Sequence, residues 1–464
     1  MKTYFFIVPT KFRVNTMLRS TLLPTLRESG ARVVIFSPFA NDASFKAEFN
    51  GTHEPLVVVP FSPLARLALR LREILLKSDH PVLADAQLIM HGTRARRVIR
   101  TASARERLLQ AARRIIRPLR GALATLFDKL EERLLRVPQY EHVCRTYNPS
   151  TIILGTCDAD PQDIVWLTHA RWSGAKAVVV DLPWNYFDDR MFSPPRPSTI
   201  CAWNEDMVQH LRERFDLDSK KVSTVVTGCL RYDKYARSLT LMPREEFLRS
   251  MGADPARISL VYFLSGSHWN PHQAQIVRLI LESVSTGAIR NNPQLIVRFG
   301  PHEKGLKEEF KILKEEYPDL VFDWAEETPQ MDRVINLLAH SAASLSIFSS
   351  IALDAAAFDK PMIYTGFSGF AYPHEDDTAA ARVYEFDFVR RALKTKGVRI
   401  AYDAKSLIEL INQGMENPEA DAAGRKVLVK KFLGNLDGKA GDRIARVIEN
   451  TQKIRHSVKV PGPS

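Results

Sequence analysis

Thirteen short runs rich in β-branched and aliphatic residues recur along the 464-residue chain. The first series is Thr3–Val8, Arg32–Ser37, Leu56–Val59, Thr151–Leu154, Ala177–Val180, Thr199–Ala202 and Val222–Val226. The second is Ile258–Leu264, Leu295–Phe299, Leu320–Phe322, Ser344–Ile347, Pro361–Tyr364 and Arg399–Tyr402. Helical patterns separate most of them. A strand that reads as continuously apolar, rather than alternating, is covered on both faces. That is the condition of a parallel sheet with helices on either side.

The alternation predicts an α/β protein. Thirteen strands exceed one ordinary open sheet. The expected architecture is therefore two Rossmann-like parallel-sheet domains, residues 1–235 and 243–455. The rhythm lapses from Lys234 to Pro243, where Pro243 can open a helix at its first turn. The last helical pattern, Lys439–Arg455, fits against either domain. Neither half carries GxGxxG after its first strand, so no dinucleotide site is expected. The four cysteines, Cys144, Cys157, Cys201 and Cys229, lie too far apart for a CxxC pair or a zinc spacing. They read as buried thiols, and no metal is expected. The apolar run Tyr4–Val8 is too short for a signal sequence or a membrane span. The expected location is cytoplasmic.

One stretch breaks the rhythm. Residues 64–145 carry no strand signal and read as a basic helical insertion in the first domain. Fourteen arginines and lysines stand against five acids from Arg94 to Arg145, most of the chain's formal charge of +12. Leu108, Leu109, Ala112, Ile115, Ile116, Leu119, Leu123, Leu126, Phe127 and Leu130 recur at helical steps as an apolar stripe. One reading packs the stripe on the first sheet. Another lays the segment, 94–136 above all, on an anionic membrane surface, making the protein peripheral on the inner face. Nucleic acid is the weaker partner, because Phe127 is almost the sole aromatic residue and stacking platforms are missing.

In open α/β sheets, ligands bind beyond the carboxyl ends of the strands. After Ile258–Leu264 come Ser265, Gly266, Ser267 and His268, a small turn whose amides can approach a phosphate. Arg298 lies inside the next strand. An unpaired guanidinium is costly to bury there, so it points either to a carboxylate or to a phosphate. His302 follows that strand. After Ser344–Ile347, Ser349 and Ser350 sit where a helix begins, and Asp354 lies one turn further on the same face. That spacing lets the serines hold a diphosphate while Asp354 accepts from a ribose. In the first half, Asp158, Asp160 and Asp181 follow strands and are candidate general bases, each with the alternative of capping a helix or binding an arginine. His169 falls inside a helical pattern. The Thr10–Asn15 loop, with Lys11 and Arg13, follows the first strand.

The run from Ser349 to Ile363, Ser-Ser-Ile-Ala-Leu-Asp-Ala-Ala-Ala-Phe-Asp-Lys-Pro-Met-Ile, resembles the donor-site region of GT-B-fold nucleotide-sugar enzymes. Trp203–Met207, Thr227–Asp233, Arg298–His302 and Asn435–Ala440 are similar to other parts of that superfamily. The nearest likeness is to surface-polysaccharide and CDP-glycerol glycerophosphotransferase-like enzymes, over roughly residues 200–445. The resemblance implies a nucleotide donor held by the second domain. Ser349 and Ser350 would contact its phosphates and Asp354 its ribose. Arg298 and His302 would neutralise the leaving diphosphate, and Ser265–His268 would line the site. Two departures stand out. The loop Asp181–Tyr186 has no histidine where glycerophosphotransferases carry a Trp-His-Gly element, and a His-Pro order is reversed at Pro301-His302.

The expected function is transfer of a sugar from a nucleotide-sugar donor to a surface polysaccharide or glycolipid acceptor. The alternatives are glycerophosphate transfer, UDP-sugar epimerisation, or a non-catalytic GT-B-like binding subunit. No cofactor is expected, the nucleotide sugar being a substrate.

Overall fold

The computed structural model describes residues 2–450 apart from 58–60, 77–107, 109–110, 113–114, 158–159, 186–196, 216–221, 237–240, 266–269, 271, 301–306, 325–329, 348, 368–383 and 385. Among these residues the chain forms two compact units. The first takes residues up to Ser238 and again from Leu433, and the second takes Leu239–Phe432.

The first unit holds a seven-stranded sheet: β1 (Thr3–Ile7), β2 (Arg32–Ser37), β3 (Thr52–Pro55), β4 (Thr151–Leu154), β5 (Lys176–Val179), β6 (Thr199–Ala202) and β7 (Ser223–Val226). Their order is β3-β2-β1-β4-β5-β6-β7, and every pair is parallel. The second unit holds β8 (Ser259–Phe263), β9 (Gln294–Phe299), β10 (Val321–Trp324), β11 (Ala343–Ser346), β12 (Met362–Thr365) and β13 (Arg399–Ala401). Their order is β10-β9-β8-β11-β12-β13, again all parallel. Each sheet thus runs outward from its first strand in one direction and then turns back to add strands on the other side. This is the doubly wound Rossmann order, and it puts a crevice beyond the strand ends where the order reverses. Those points are β1/β4 in one unit and β8/β11 in the other.

The strands are buried as their composition requires. All five residues of β1, all four of β4 and all six of β9 are buried. One strand lies elsewhere than expected: β3 is Thr52–Pro55, and Leu56 and Val57, the described part of the expected run Leu56–Val59, lie beyond its end. It is an edge strand, exposed on one side, so its sequence Thr-His-Glu-Pro lacks the apolar signature that reveals the central strands.

The helices used below are α1 (Leu22–Glu28), α2 (Pro63–Leu76), α3 (Arg120–Leu134), α4 (Pro161–Ser173), α5 (Ile351–Ala357) and α6 (Ala440–Asn450). The described parts of 64–145 are helical, with no strand among them. The segment 77–107, with many of its arginines, lies outside the described residues.

The expected second domain extends to residue 455, whereas from Leu433 the chain returns to the first unit. Ile444, Ala445 and Ile448 of α6 join Leu22, Leu23 and Leu26 of α1 in one core cluster. Asp233 holds the start of α6, its carboxylate accepting from Ala440 N at 2.9 Å, Gly441 N at 2.8 Å and Thr21 Oγ1 at 2.9 Å. Two amides that no helical carbonyl can serve are thereby satisfied. Gly441 is needed because a Cβ there would come 2.0 Å from Thr21 Oγ1 and 2.7 Å from Leu22 N. Arg443 adds a two-pronged pair with Asp437, at 2.7 and 3.0 Å, and donates to Thr227 O. The Thr227–Asp233 and Asn435–Ala440 motifs are thus two sides of one clasp.

Candidate functional site

In the first unit the switch point is occupied by a cation. Arg13, six residues past β1, lays its guanidinium over Gly155, the residue after β4. A Cβ at Gly155 would lie 2.5 Å from Arg13 Nε. The Arg13 Nη1 donates to the Asp181 main-chain oxygen at 2.8 Å and to its carboxylate at 2.5 Å. Asp181 follows β5 and is 4% exposed, with Arg13 at 11%. The ends of β1, β4 and β5 therefore converge on one partly buried ion pair.

Asp163, in the first turn of α4, lies beside it. Its carboxylate accepts from the Thr156 hydroxyl and from Asp160 N. Burial pushes its pKa up to about 7, opposed by Thr156 and by the charge of Arg13. Asp160 is the N-cap of α4, accepting from Gln162 N at 2.8 Å and completing a capping box with Asp163. Of the three candidate bases, Asp160 is thus a helix cap and Asp181 an arginine partner. Asp158 lies outside the described residues. Sequence reasoning missed the Arg13–Asp181 pairing and the role of Asp163, although the Asp160-Pro-Gln-Asp163 spacing is a visible capping signal. His169 is a core residue: it is fully buried, Val137 N donates to its Nε2 at 3.2 Å, and burial lowers its pKa to about 4.

The second unit places serines at its switch point. Ser265, two residues past β8, meets Ser346 at the end of β11, hydroxyl to hydroxyl at 3.2 Å. Gln273 braces the turn from both sides, accepting from Ser265 N at 2.9 Å and donating to Ser265 O at 2.6 Å. The loop after β11 is held by two phenols. Tyr364 donates to Ser349 O at 2.8 Å, and Tyr384 donates to Ile347 O and to Thr365 O. Burial raises both phenols above their ordinary range, so they stay protonated donors. Ser349 Oγ accepts from Ile351 N at 3.3 Å. Ser350 is the N-cap residue of α5 and makes no side-chain cap bond. Both serines are partly exposed.

Two expected donor contacts meet competition inside the unit. The Arg298 guanidinium bonds to Asp323 on the neighbouring strand β10, and Asp323 also binds Arg333. Arg298 is 5% exposed, and the register that pairs it with Asp323 supplies the carboxylate. Of its two sequence readings, carboxylate or phosphate, the structure shows the carboxylate. Asp354, read as a ribose acceptor, has no exposed surface and already has a partner. Gly266, Ser267, His268 and His302 lie outside the described residues. No group of histidine, cysteine or acidic residues suited to a metal occurs among the described residues. All four cysteines are buried, and none is in a disulfide.

The family described as CDP-glycerol:poly(glycerophosphate) glycerophosphotransferase matches residues 272–450. That span takes in β9 to β13, the Ser349–Ile363 run and α6. No curated protein matches in sequence. Among solved structures, a UDP-GlcNAc 2-epimerase from Methanocaldococcus jannaschii is 13% identical with a TM-score of 0.56, covering 97% of this chain and all of that one. The S. aureus MnaA–UDP co-structure is 11% identical with a TM-score of 0.58, and each chain is covered completely. The wall teichoic acid polymerase TagF is 11% identical with a TM-score of 0.51, covering 98% of this chain and 90% of that one. The chain has the fold of these GT-B-like proteins, and its second half is similar in sequence to the glycerophosphotransferase family.

Proposed function

We propose that the protein is a transferase that takes a group from a nucleotide-linked donor and passes it to a hydroxyl acceptor on a growing surface polymer. The observation that carries this reading is the coincidence of the family match with the serine-lined switch point of the second unit. Donor phosphates would be met by Ser265, Ser349 and Ser350, with Gly266, Ser267, His268 and His302 as neighbours in sequence. Arg298 would take part only by sharing its charge with Asp323.

The family match favours glycerol phosphate, or a related polyol phosphate, as the transferred group. The acceptor oxygen would bond to phosphorus, the phosphoanhydride bond would break, and cytidine monophosphate would leave. The acceptor's proton would pass to a carboxylate base, for which Asp181 is the candidate, with Asp158 and Asp160 as alternatives.

Sugar transfer is the second reading, with a nucleotide sugar as donor and a polysaccharide or glycolipid as acceptor. The histidine-free loop Asp181–Tyr186 favours it. Incubation with labelled CDP-glycerol and, separately, with UDP-sugars decides between the two. Release of cytidine monophosphate supports polyol-phosphate transfer. Acceptor-dependent release of a nucleoside diphosphate supports sugar transfer, and UDP-sugar conversion without acceptor supports epimerisation. A nucleotide at 100 times its Kd adds about 2.7 kcal/mol of stability. If no nucleotide in a screen over all the common bases raises the melting temperature, the catalytic reading fails.

A further inference from the structure

The outer face of the α2–α3 helix pair has no part in the sites described above. The two helices run antiparallel. Arg72 bonds to Asp128 at 2.8 Å and to Glu131 at 2.8 Å, while Leu76, one turn later in α2, clusters with Ala124 and Phe127, one turn earlier in α3. The buried seam is Ala65, Ala68, Arg72 and Leu76 on one helix and Ala124, Phe127 and Glu131 on the other.

Each helix also carries exposed leucines, and they are placed by one rule. Leu64, Leu67 and Leu71 each stand one residue before a seam residue of α2, and Leu126 and Leu130 each stand one residue before a seam residue of α3. One residue is about 100° around a helix. In an antiparallel pair, equal rotations of this sense carry both stripes to the same side, whereas in a parallel pair they would fall on opposite sides. The five leucines therefore form one apolar strip. It is open to solvent: Leu64 is 65% exposed, Leu67 53% and Leu126 61%.

The next residue back, a further 100° round, is a cation in three places: Arg66 before Leu67, Arg70 before Leu71 and Lys129 before Leu130. All three are exposed. The acids of the pair point elsewhere. Asp128 and Glu131 hold Arg72, and Glu132 holds Arg171 of α4 at 3.1 Å, which leaves Glu73 as the exposed acid on these two helices. The buried Arg72 also locks the rotation of both helices, since turning the leucines inward would bring the ion pair out and leave the seam unfilled.

We propose that this strip lies flat on a bilayer containing acidic lipids, leucines in the acyl boundary and flanking cations among the headgroups. The arrangement of seam, leucine and cation at successive 100° steps is that of an interfacial helix. The long basic side chains reach back to the headgroup level. No described helix is long and apolar enough to cross a membrane, so attachment is along the surface.

The test uses the full chain and sedimentation with vesicles of 30% phosphatidylglycerol in phosphatidylcholine, against phosphatidylcholine alone. The protein should bind the acidic vesicles at 50 mM salt and at least tenfold more weakly at 500 mM. The paired substitution Leu67→Gln/Leu126→Gln should weaken binding at least tenfold at low salt with an unchanged circular dichroism spectrum. Ile312→Gln, at an exposed apolar site in the second unit, should leave binding unaltered. Absence of binding to acidic vesicles, or equal binding by the leucine variant, overturns the proposal. So does a concentration-dependent dimer that the same leucine substitutions dissociate, since the strip would then belong to a second copy.

Discussion

Two buried groups of the first unit set opposing responses to acid. Asp163 has its pKa raised to about 7 by burial, so between about pH 4 and 7 the folded chain holds a proton that the unfolded chain has lost. Its contribution to stability therefore falls as pH rises. His169 has its pKa lowered to about 4, so over nearly the same window the folded chain refuses a proton that the unfolded chain binds. Its contribution falls as pH drops. At about 1.4 kcal/mol per pH unit, each effect is worth a few kcal/mol at most, and the two nearly cancel. Asp163→Asn keeps an acceptor for Thr156 and removes the titration. Relative to the parent, that variant should lose melting temperature steeply from pH 6.5 to pH 4, while His169→Gln should gain in the same range. Parallel melting curves for Asp163→Asn and parent would show that Asp163 is ionised throughout. None of this is legible in sequence, because it depends on burial that only the packing of α4 on β4 and β5 supplies. The Arg13–Asp181 pair is hidden for a related reason: 168 residues separate the partners, and only the adjacency of β1, β4 and β5 brings them together.

Elements were more legible than the contacts between them. The central strands announce themselves because parallel strands must be apolar on both faces, as in Tyr4–Ile7 and Thr151–Leu154. The edge strand β3 does not, and α6 shows a buried face without saying what covers it. Its partner is α1, and the element that fixes it there is the Asp233 carboxylate. Asp233→Ala leaves two helix-start amides and the Thr21 hydroxyl without their acceptor in a buried place. Such a loss costs roughly 2–4 kcal/mol. Urea denaturation followed by a first-unit probe such as Trp166 should show that drop, and Asp233→Asn, which keeps one oxygen acceptor, should show about half of it. An unchanged midpoint for the alanine variant would mean that α6 docks through its apolar face alone. The position of the serine turns in the second unit was legible for a different reason. Ser265, Ser349 and Ser350 stand two to four residues past the buried strands β8 and β11, at the strand ends of a switch point. The sequence left Arg298 between a carboxylate and a phosphate partner. Asp323 lies 25 residues away, on the strand paired with its own.

At the scale of the molecule, the chain enters the second unit near Leu239 and leaves it near Phe432, so that unit is an insertion within the first. A polypeptide of residues 239–432 has its own sheet and core. It should melt cooperatively by itself, and a broad, non-cooperative transition would show that it needs the first unit. The reverse excision is not equivalent, because residues 2–238 lack α6. This has a consequence for synthesis. The ribosome delivers chain from the N-terminus at about 5–20 residues per second. Roughly 200 residues of the second unit emerge before the segment that covers Leu22 and Leu26. For about 10–40 s, the first domain must therefore wait with an apolar groove open, and it is completed last although it was begun first.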